Sequence, residues 1–478
     1  MITIIIGRAA QFILALAMLR VATTLLSPEE MGKVSLALTT IAFFAMFLVN
    51  PVGMFINRRL HAWQANGSAR PYLQRYAGYL IGVALFAAIS LPLFNLSGLV
   101  NFGMPIGWVV ALVCASLIFN TINQTSIPSL NMLGDTRGFL TLSVATLAAS
   151  FVCAFTLVET VQTSAQYWVL GLLLGQMLLA VVGTRMLFAK LGVHGAPINA
   201  SPGIRGRNLR VLFDFAWPVA LAAGLGWVQL QGYRYIMESH LGMAQLGLFV
   251  AGYSISAGMI AGFESILTAY FQPRLYRDAN KGHPAEQAQA WRRYASAIIP
   301  SLILTVALIV LLAPEFTRIL LGERFQGAAS FVVWGALAEA ARVMAGVYSL
   351  IAHVYMRTRW LILPTAVGAA LSIVLCVLLI PPLGAQGAGI ALALAGFVVV
   401  ALLHILLAHR AGGSVPLHAL GQAALAAVAL CAAALAMRAI FKTADWAVII
   451  SVILITGLVY LGLLHRLLLQ HLVEMREA

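Results

Sequence analysis

Long apolar runs separated by short polar segments dominate the chain. A helix needs about 20 apolar residues to cross the hydrocarbon core of a bilayer, and fourteen runs are of that length. The pattern predicts an all-α polytopic membrane protein with about 14 transmembrane helices. The predicted spans are 3–26, 34–56, 76–95, 106–127, 139–159, 166–189, 213–237, 244–270, 295–313, 328–353, 361–380, 386–409, 418–440 and 446–469.

The second and eighth predicted spans share one design. Each follows a short polar break, Leu26–Gly32 or Leu241–Gly247, and each run ends at a basic residue before a leucine, Arg59 or Arg274. All of these landmarks are 215 positions apart. Internal repeats of this kind are a common way to build a transporter around a central site. We therefore expect two six-helix lobes related by an internal repeat, plus a C-terminal helix pair.

The predicted domain organisation follows from this repeat. The N-terminal lobe covers 1–190, and the C-terminal lobe covers 213–410. Residues 191–212, rich in Gly, Pro, Asn and Ser, are expected to form a flexible cytoplasmic linker. Residues 411–478 hold the additional helix pair, which has no counterpart in the first lobe.

Smaller features suggest local geometry. The mixed-charge segment 272–294 fits either an amphipathic surface helix or a solvated loop. Pro51 and Pro218 lie inside predicted spans and are expected to kink them. Glycine pairs spaced by four, which suit close helix packing, occur at Gly78/Gly82, Gly171/Gly175 and Gly258/Gly262.

Composition excludes a soluble domain, because 62% of the 478 residues are hydrophobic, only 9% are charged, and the mean hydropathy is +0.94. The loops on one side of the predicted topology, with the C-terminal tail and Arg466 at the end of the last span, hold 19 Lys and Arg residues. The opposite loops, with Arg438 at the end of the thirteenth span, hold 5. The positive-inside rule places both termini in the cytoplasm. It also explains the net charge of +14 without a nucleic-acid partner.

The chain has no phosphate-binding P-loop, no GxSxG and no HExxH motif. We therefore expect no enzyme, no catalytic residue and no ATP-driven engine on this chain. The four cysteines lie in apolar runs without CxxC spacing, which predicts neither a disulfide nor a metal site. No cofactor is expected apart from a candidate coupling cation or proton.

The informative residues are the ionisable ones inside spans, because charge at membrane depth is costly without a wet cavity or a partner. Arg342 lies about fourteen residues into the tenth span, roughly 20 Å of helix from its outer end. It either lines a substrate cavity or pairs with Glu339, three residues earlier on the same helix face. Glu264, in the eighth span, is either a coupling site for a proton or cation, or a partner for an arginine.

Two further arginines lie within spans, and two lie at matched helix ends. Arg20 in the first span and Arg234 in the seventh are candidates for a cavity or for interfacial anchoring. The repeat places Arg59 and Arg274 at equivalent cytoplasmic helix ends. There they either grip an anionic headgroup as a gate or are ordinary positive-inside residues.

A resemblance to a known family rests on these features. The first span, the break Leu26–Gly32 with the sequence LSPEEMG, the second span and the basic pair Arg58-Arg59 resemble the polysaccharide transporter branch of the multidrug/oligosaccharidyl-lipid/polysaccharide exporter superfamily. That branch includes the O-antigen-type lipid-linked oligosaccharide flippases. The break at Leu241–Gly247 resembles the family's equivalent segment before its eighth span.

The resemblance implies a multi-pass protein of the bacterial inner (cytoplasmic) membrane, whose central cavity opens alternately to each side. Its cargo would be an undecaprenyl-pyrophosphate-linked oligosaccharide, moved from the inner to the outer leaflet to make O-antigen of lipopolysaccharide, capsule or exopolysaccharide. Arg20, Arg234 and Arg342 would compensate the pyrophosphate charge, and Arg59 and Arg274 would form the cytoplasmic gate. Membrane lipids, a polysaccharide polymerase and a chain-length regulator are the implied partners.

Three alternatives stay open at this stage. A lipid II-type flippase of the same superfamily has the same span number. A multidrug and toxin extrusion antiporter for organic cations would need acidic cavity residues, yet the first span contains no Asp or Glu. A scramblase or an integral glycosyltransferase is the third, although the acidic residues of the outer loops are scattered.

Overall fold

The computed structural model describes residues 2–98, 100–191, 206–279, 283–355, 357–408, 417–440 and 446–477. All regular elements in these ranges are helical, which confirms the predicted all-α class. The α-helices are α1 (Ile2–Leu25), α2 (Pro28–Phe44), α3 (Asn50–Ala65), α4 (Ala69–Leu96), α5 (Ile106–Met132), α6 (Thr136–Thr160), α7 (Ala165–Leu191), α8 (Gly206–Gln231), α9 (Tyr233–Ala279), α10 (Pro284–Leu311), α11 (Ala313–Leu320), α12 (Ala329–Val354), α13 (Ile362–Leu383), α14 (Ala385–Leu407), α15 (Leu417–Ile440) and α16 (Trp446–Glu477).

Thirteen segments of the described chain are long and apolar enough to cross a membrane. One of them, Arg210–Ala279, is 70 residues long, far more than the roughly 20 residues that one crossing needs. It contains α8 and α9, and α9 is interrupted at Gly242, whose φ of 78° lies in the left-handed region that favours glycine. This segment therefore holds two crossings, and the count agrees with the fourteen predicted spans.

The polar break before the second span forms a regular helix start. The Ser27 side chain accepts a hydrogen bond from the backbone N–H of Glu30, and Pro28 occupies the first turn of α2. A serine cap satisfies one of the orphan N–H groups of a helix terminus, and proline is tolerated there because its missing N–H has no partner to lose. The break thus separates α1 from α2 by only two residues, Leu26 and Ser27.

Pro51 changes the helix geometry as expected, through a local change of hydrogen-bond register. A π-helical turn, Ala45–Val49, joins α2 to α3 immediately before it. Because proline has no N–H, the turn that precedes it loses a hydrogen bond. The hydroxyl of Tyr79 donates to the backbone oxygen of Leu48 at 2.8 Å, so that a carbonyl of this irregular turn is satisfied by a neighbouring helix.

The glycine pairs differ in what they contact. A Cβ on Gly171 or Gly175 would collide with the backbone of Ala154 or Ser150 on α6, so α6 and α7 approach closely because of these glycines. A Cβ on Gly78 or Gly82 would meet nothing within 4 Å. Spacing by four therefore predicted a close helix contact correctly at Gly171/Gly175 and wrongly at Gly78/Gly82.

The mixed-charge segment 272–294 is neither a separate surface helix nor a loop in its described part. Residues 280–282 lie outside the described ranges; on either side, α9 and α10 extend into the segment. Trp291 is 1% exposed, and its indole N–H donates to the backbone oxygen of Val347 at 2.9 Å. The sequence interpretation considered the charged residues of this segment and overlooked three buried apolar residues at helical spacing, Ala288, Trp291 and Ala295.

The chain divides into two compact units, Met1–Gly247 and Leu248–Ala478. The first unit has a core formed by α2, α4, α5 and α7, with residues such as Phe44, Leu80 and Val113. Most of the predicted linker 191–212 lies outside the described residues, and the predicted lobe limits stay predictions. The helix α8 and the start of α9 belong to the first unit.

In the second unit, α10 is a central helix against which α12, α15 and α16 pack. The predicted C-terminal helix pair shares an apolar cluster with α10 that includes Leu304, Leu430 and Val452. Arg438 of α15 also binds both carboxylate oxygens of Glu315 at 2.7 and 2.8 Å. The pair is therefore attached to this unit by both apolar and ionic contacts.

Candidate functional site

The second unit contains a cluster of three charged side chains inside predicted spans. Arg342 of α12 donates from Nη2 to Oε2 of Glu264 on α9 at 2.7 Å, and from Nε to Oε2 of Glu339 at 2.6 Å. Glu339 and Arg342 are three residues apart and so lie on the same helix face. The within-helix ion pair is thus present, and so is an arginine partner for Glu264.

The two carboxylates of this cluster have different surroundings. The Glu339 side chain is 9% exposed, and its second oxygen accepts a hydrogen bond from the Tyr253 hydroxyl at 2.7 Å. The Glu264 side chain is 28% exposed. Glu339 therefore has both oxygens engaged in a buried network, whereas Glu264 is the more accessible partner of Arg342.

A cavity of about 370 Å³ lies beside the cluster, between α9, α10 and α12. Its polar lining comes from Glu264, Ser265, Thr268, Gln272 and Tyr294, and the rest of its wall is mostly apolar. Hydroxyl, amide and carboxylate groups around one phenol ring can hydrogen-bond a polar ligand. Sequence reasoning identified only Glu264 here, because single serine and threonine residues in a span carry no distinctive pattern.

The charges of the cluster do not balance. One guanidinium faces two carboxylates, and charged groups at membrane depth are tolerated when they are paired. With both carboxylates ionised, the cluster carries one net negative charge. Such a site can take up a proton or another monovalent cation, and its guanidinium can bind an anion if a carboxylate leaves.

In the first unit, Arg234 belongs to a polar cluster at the C-terminal half of α2. Its Nη1 donates to the hydroxyl of Thr39, and its Nε donates to the Tyr233 hydroxyl at 3.2 Å. The next threonine, Thr40, shares a hydrogen bond of 2.8 Å with the Tyr235 hydroxyl. Sequence reasoning missed both threonines, because each meets its partner 195 positions away in the chain.

Arg20 lies half-buried in α1, where its backbone oxygen accepts hydrogen bonds from the hydroxyls of Thr23 and Thr24. Arg234 and Arg20 both belong to the first unit, whereas Arg342 belongs to the second. Their joint role in substrate binding stays a prediction.

The two gate candidates share a local structure. The guanidinium of Arg59 lies 5.3 Å from the ring centre of Phe55, and that of Arg274 lies 3.9 Å from the ring centre of Tyr270. Each arginine stacks on the aromatic residue four positions before it, and the two aromatic residues obey the same offset of 215. A cation–π contact orients the guanidinium and leaves its edge free to bind an anion. The repeat therefore preserves an aromatic support as well as the charge.

Among the described residues, no group of three or more His, Cys, Asp or Glu side chains is arranged to hold a metal ion. Outside the spans, Asp135 caps α6 by accepting a hydrogen bond from the N–H of Gly138 at 2.8 Å. That hydrogen bond, together with the ammonium of Lys190 at 3.5 Å, holds the pKa of Asp135 below its usual value.

Comparison with known proteins gives the following similarities. Residues 21–330 match the model of a family described as polysaccharide biosynthesis protein. A solved structure described as lipid II flippase MurJ in an inward closed conformation is 14% identical over 96% of this chain and 97% of its own, with a TM-score of 0.64. An inward-facing multidrug resistance MATE family transporter of the MOP superfamily is 15% identical over 85% of this chain and 98% of its own, with a TM-score of 0.65. At these identities the structures share the fold; no curated protein sequence matches.

Proposed function

We propose that this chain, which belongs to the polysaccharide biosynthesis protein family and to the multidrug/oligosaccharidyl-lipid/polysaccharide exporter superfamily, is a flippase for a lipid-linked oligosaccharide. Its cargo is an undecaprenyl-pyrophosphate-linked saccharide, moved from the inner to the outer leaflet of the bacterial inner membrane. The product serves the biosynthesis of O-antigen, capsule or exopolysaccharide. The protein transports its substrate and does not transform it.

The observation that carries this proposal is Arg342, a guanidinium deep in a span and next to a polar cavity. A pyrophosphate carries two or so negative charges, and arginine is the side chain best suited to bind phosphate through two parallel hydrogen bonds. The hydroxyl and amide groups of the same cavity can hydrogen-bond sugar hydroxyls. A cationic residue beside a hydroxyl-lined cavity fits a cargo in which a diphosphate adjoins a sugar.

The proposed mechanism is alternating access. Arg59 and Arg274 attract the diphosphate at the cytoplasmic ends of the second and eighth spans, where their aromatic supports hold them. Arg20, Arg234 and Arg342 then take over the headgroup while the lipid tail stays in the bilayer. A change in conformation exposes the headgroup to the outer side. Net transport draws on the membrane potential, or on a proton or cation bound at Glu264 or Glu339.

The topology proposed for this function has both termini in the cytoplasm. This follows from the excess of basic residues on one side of the fourteen spans. A polysaccharide polymerase and a chain-length regulator, which would use the flipped product, are the proposed protein partners, together with membrane lipids.

Complementation tests the proposal. The wild-type chain is expressed in a strain that lacks it, and surface polysaccharide is measured against the amount of protein in the membrane. Arg342→Ala and Arg342→Lys should lose most of the polysaccharide at normal protein level, with lipid-linked intermediate accumulating inside. The matched control is Arg438→Ala, which removes another paired arginine of the same unit and should keep transport. Surface polysaccharide that survives full deletion of the gene would overturn the proposal.

The competing function is export of organic cations by a multidrug antiporter, which the two carboxylates beside the cavity favour. It predicts that deletion sensitises cells to cationic drugs and leaves surface polysaccharide unchanged. A lipid II-type flippase predicts loss of viability instead, because the cell wall precursor would not cross the membrane.

A further inference from the structure

We infer that Glu264 occupies the place on Arg342 that a phosphate of the substrate would take. Binding of the diphosphate then displaces this carboxylate, which takes up one proton. This inference rests on the proposed function and assigns Glu264 the role of an internal competitor for the anion. It also couples the binding of each diphosphate to the uptake of one proton.

The two hydrogen bonds of Arg342 show why Glu264, and not Glu339, is the group that leaves. Glu339 is held by the Arg342 Nε and by the Tyr253 hydroxyl, and it belongs to the same helix as Arg342. Glu264 reaches Arg342 from another helix through one 2.7 Å contact to Nη2. Its side chain is about three times more exposed than that of Glu339, 28% against 9%. Glu339 thus positions the guanidinium, and Glu264 binds its terminal nitrogen Nη2.

The cavity brings an anion to this ion pair. Glu264 lines it, and so does Val343, the residue after Arg342. An anion that enters the cavity therefore meets the Glu264 carboxylate, whose Oε2 lies 2.7 Å from Nη2 of Arg342. Like charges repel strongly at low dielectric, so the anion and an ionised Glu264 cannot share this site at low cost.

The exchange is balanced in charge and in atoms. The Arg342–Glu264 ion pair, the diphosphate and one proton from the buffer acid become an Arg342–diphosphate ion pair and a neutral Glu264 carboxyl group, and the conjugate base of the buffer stays in solution. Among the described residues, the ionisable groups that the contacts place beside Glu264 are Arg342, which also holds Glu339, and Tyr294 from α10. The released carboxylate has no second cation among these groups.

Calorimetry on the purified full-length protein tests the inference, with geranyl diphosphate and inorganic pyrophosphate as probes. Titrations in two buffers of different ionisation enthalpy give the number of protons taken up on binding. The wild type should take up about one proton more than Glu264→Gln. Glu264→Gln, which lacks the competing charge, should bind the diphosphate roughly tenfold more tightly. The control Glu315→Gln removes a carboxylate from a different arginine pair and should match the wild type.

Three results would overturn the inference: unchanged or weaker binding by Glu264→Gln, equal proton uptake in both proteins, or no diphosphate binding by any of them. If Glu264→Gln does not fold, wild-type affinity for geranyl diphosphate decides the question, because it should rise between pH 8 and pH 6. Geranyl diphosphate binding without pyrophosphate binding identifies the lipid-linked anion as the source, and binding of both supports the shared diphosphate chemistry.

The inference and the proposed function fail separately. If the wild type complements normally but Glu264→Gln binds the diphosphate no more tightly, the inferred competition is wrong and the flippase function stands. If competition and proton uptake are measured but deletion leaves surface polysaccharide intact, the inferred exchange stands and the flippase function is wrong.

Discussion

Gly32 and Gly247 pack against each other's helix starts in a reciprocal contact. A Cβ on Gly32 would collide with the backbone oxygen of Met243, and a Cβ on Gly247 would collide with the backbone oxygen of Pro28. Each glycine thus touches the residue four positions before the other, and both pairs obey the offset of 215 found in the sequence. The repeat is therefore also a local two-fold contact within the first unit, between α2 and α9.

Substituting either glycine should open this contact. Gly32→Ala and Gly247→Ala place a methyl group against a backbone oxygen, and such overpacking costs about 1–3 kcal/mol. We expect a lower melting temperature in detergent and reduced transport for each variant. Gly78→Ala is the matched control, since its methyl group meets nothing within 4 Å and alanine favours the helix. Equal melting temperatures for all three variants would contradict the contact.

Removing the Tyr253 hydroxyl should destabilise the Glu339–Arg342 ion pair, because this hydroxyl binds the other oxygen of Glu339. Tyr253→Phe leaves a buried oxygen of Glu339 without its 2.7 Å donor, and loss of a hydrogen bond to a charged group costs about 1.5–3 kcal/mol. A double-mutant cycle on thermal stability with Glu339→Gln measures the coupling. The expected result is that the double variant is hardly less stable than Glu339→Gln alone. Additive losses would show that the two groups act independently.

The gate arginines should affect transport more than a basic residue with the same kind of support. Arg59→Ala and Arg274→Ala should each reduce surface polysaccharide several-fold in the complementation assay. Arg75, which lies 5.7 Å from the ring centre of Tyr72, provides the control, and Arg75→Ala should keep transport. If all three variants reduce surface polysaccharide equally, the arginines act only through general basic charge.

Asp135 gives a pH dependence outside the spans. Its pKa in the folded protein is lowered by the Gly138 N–H and by Lys190. The stabilisation is therefore fully present above the ordinary aspartate pKa of about 3.9 and disappears as the pH falls through the lowered value. The difference in melting temperature between the wild type and Asp135→Ala should shrink over that acidic range. A constant difference would show that the carboxylate charge does not contribute.

Much of the fold could be predicted because membrane crossing imposes a local rule. Each span must be long and apolar, so hydropathy alone located the helices, and the spacing of Glu339 and Arg342 gave their ion pair. The repeat was visible because it preserves the register of breaks and charges over 215 residues. That the repeat also forms a reciprocal contact between Gly32 and Gly247 could be seen only in the structure.

The rest depends on contacts between residues distant in sequence. Nothing near Arg342 indicates that its second partner is Glu264, 78 positions earlier, and nothing near Arg234 indicates Thr39. The π-helical turn before Pro51 could be expected only as a kink, since the hydroxyl that satisfies its Leu48 carbonyl belongs to Tyr79 on another helix. Periodicity reports which face of a helix is apolar and does not report which helix meets it.

The most direct measurement reconstitutes the purified protein in liposomes that contain an undecaprenyl-pyrophosphate-linked saccharide. The saccharide that reaches the outer leaflet is counted with an impermeant sugar-modifying enzyme. We expect the wild type to equilibrate the saccharide across the bilayer, Arg342→Ala to lose this activity, and Arg438→Ala to retain it. A wild-type protein that leaves the saccharide in its original leaflet, under an imposed membrane potential and an imposed pH gradient alike, would contradict the flippase function.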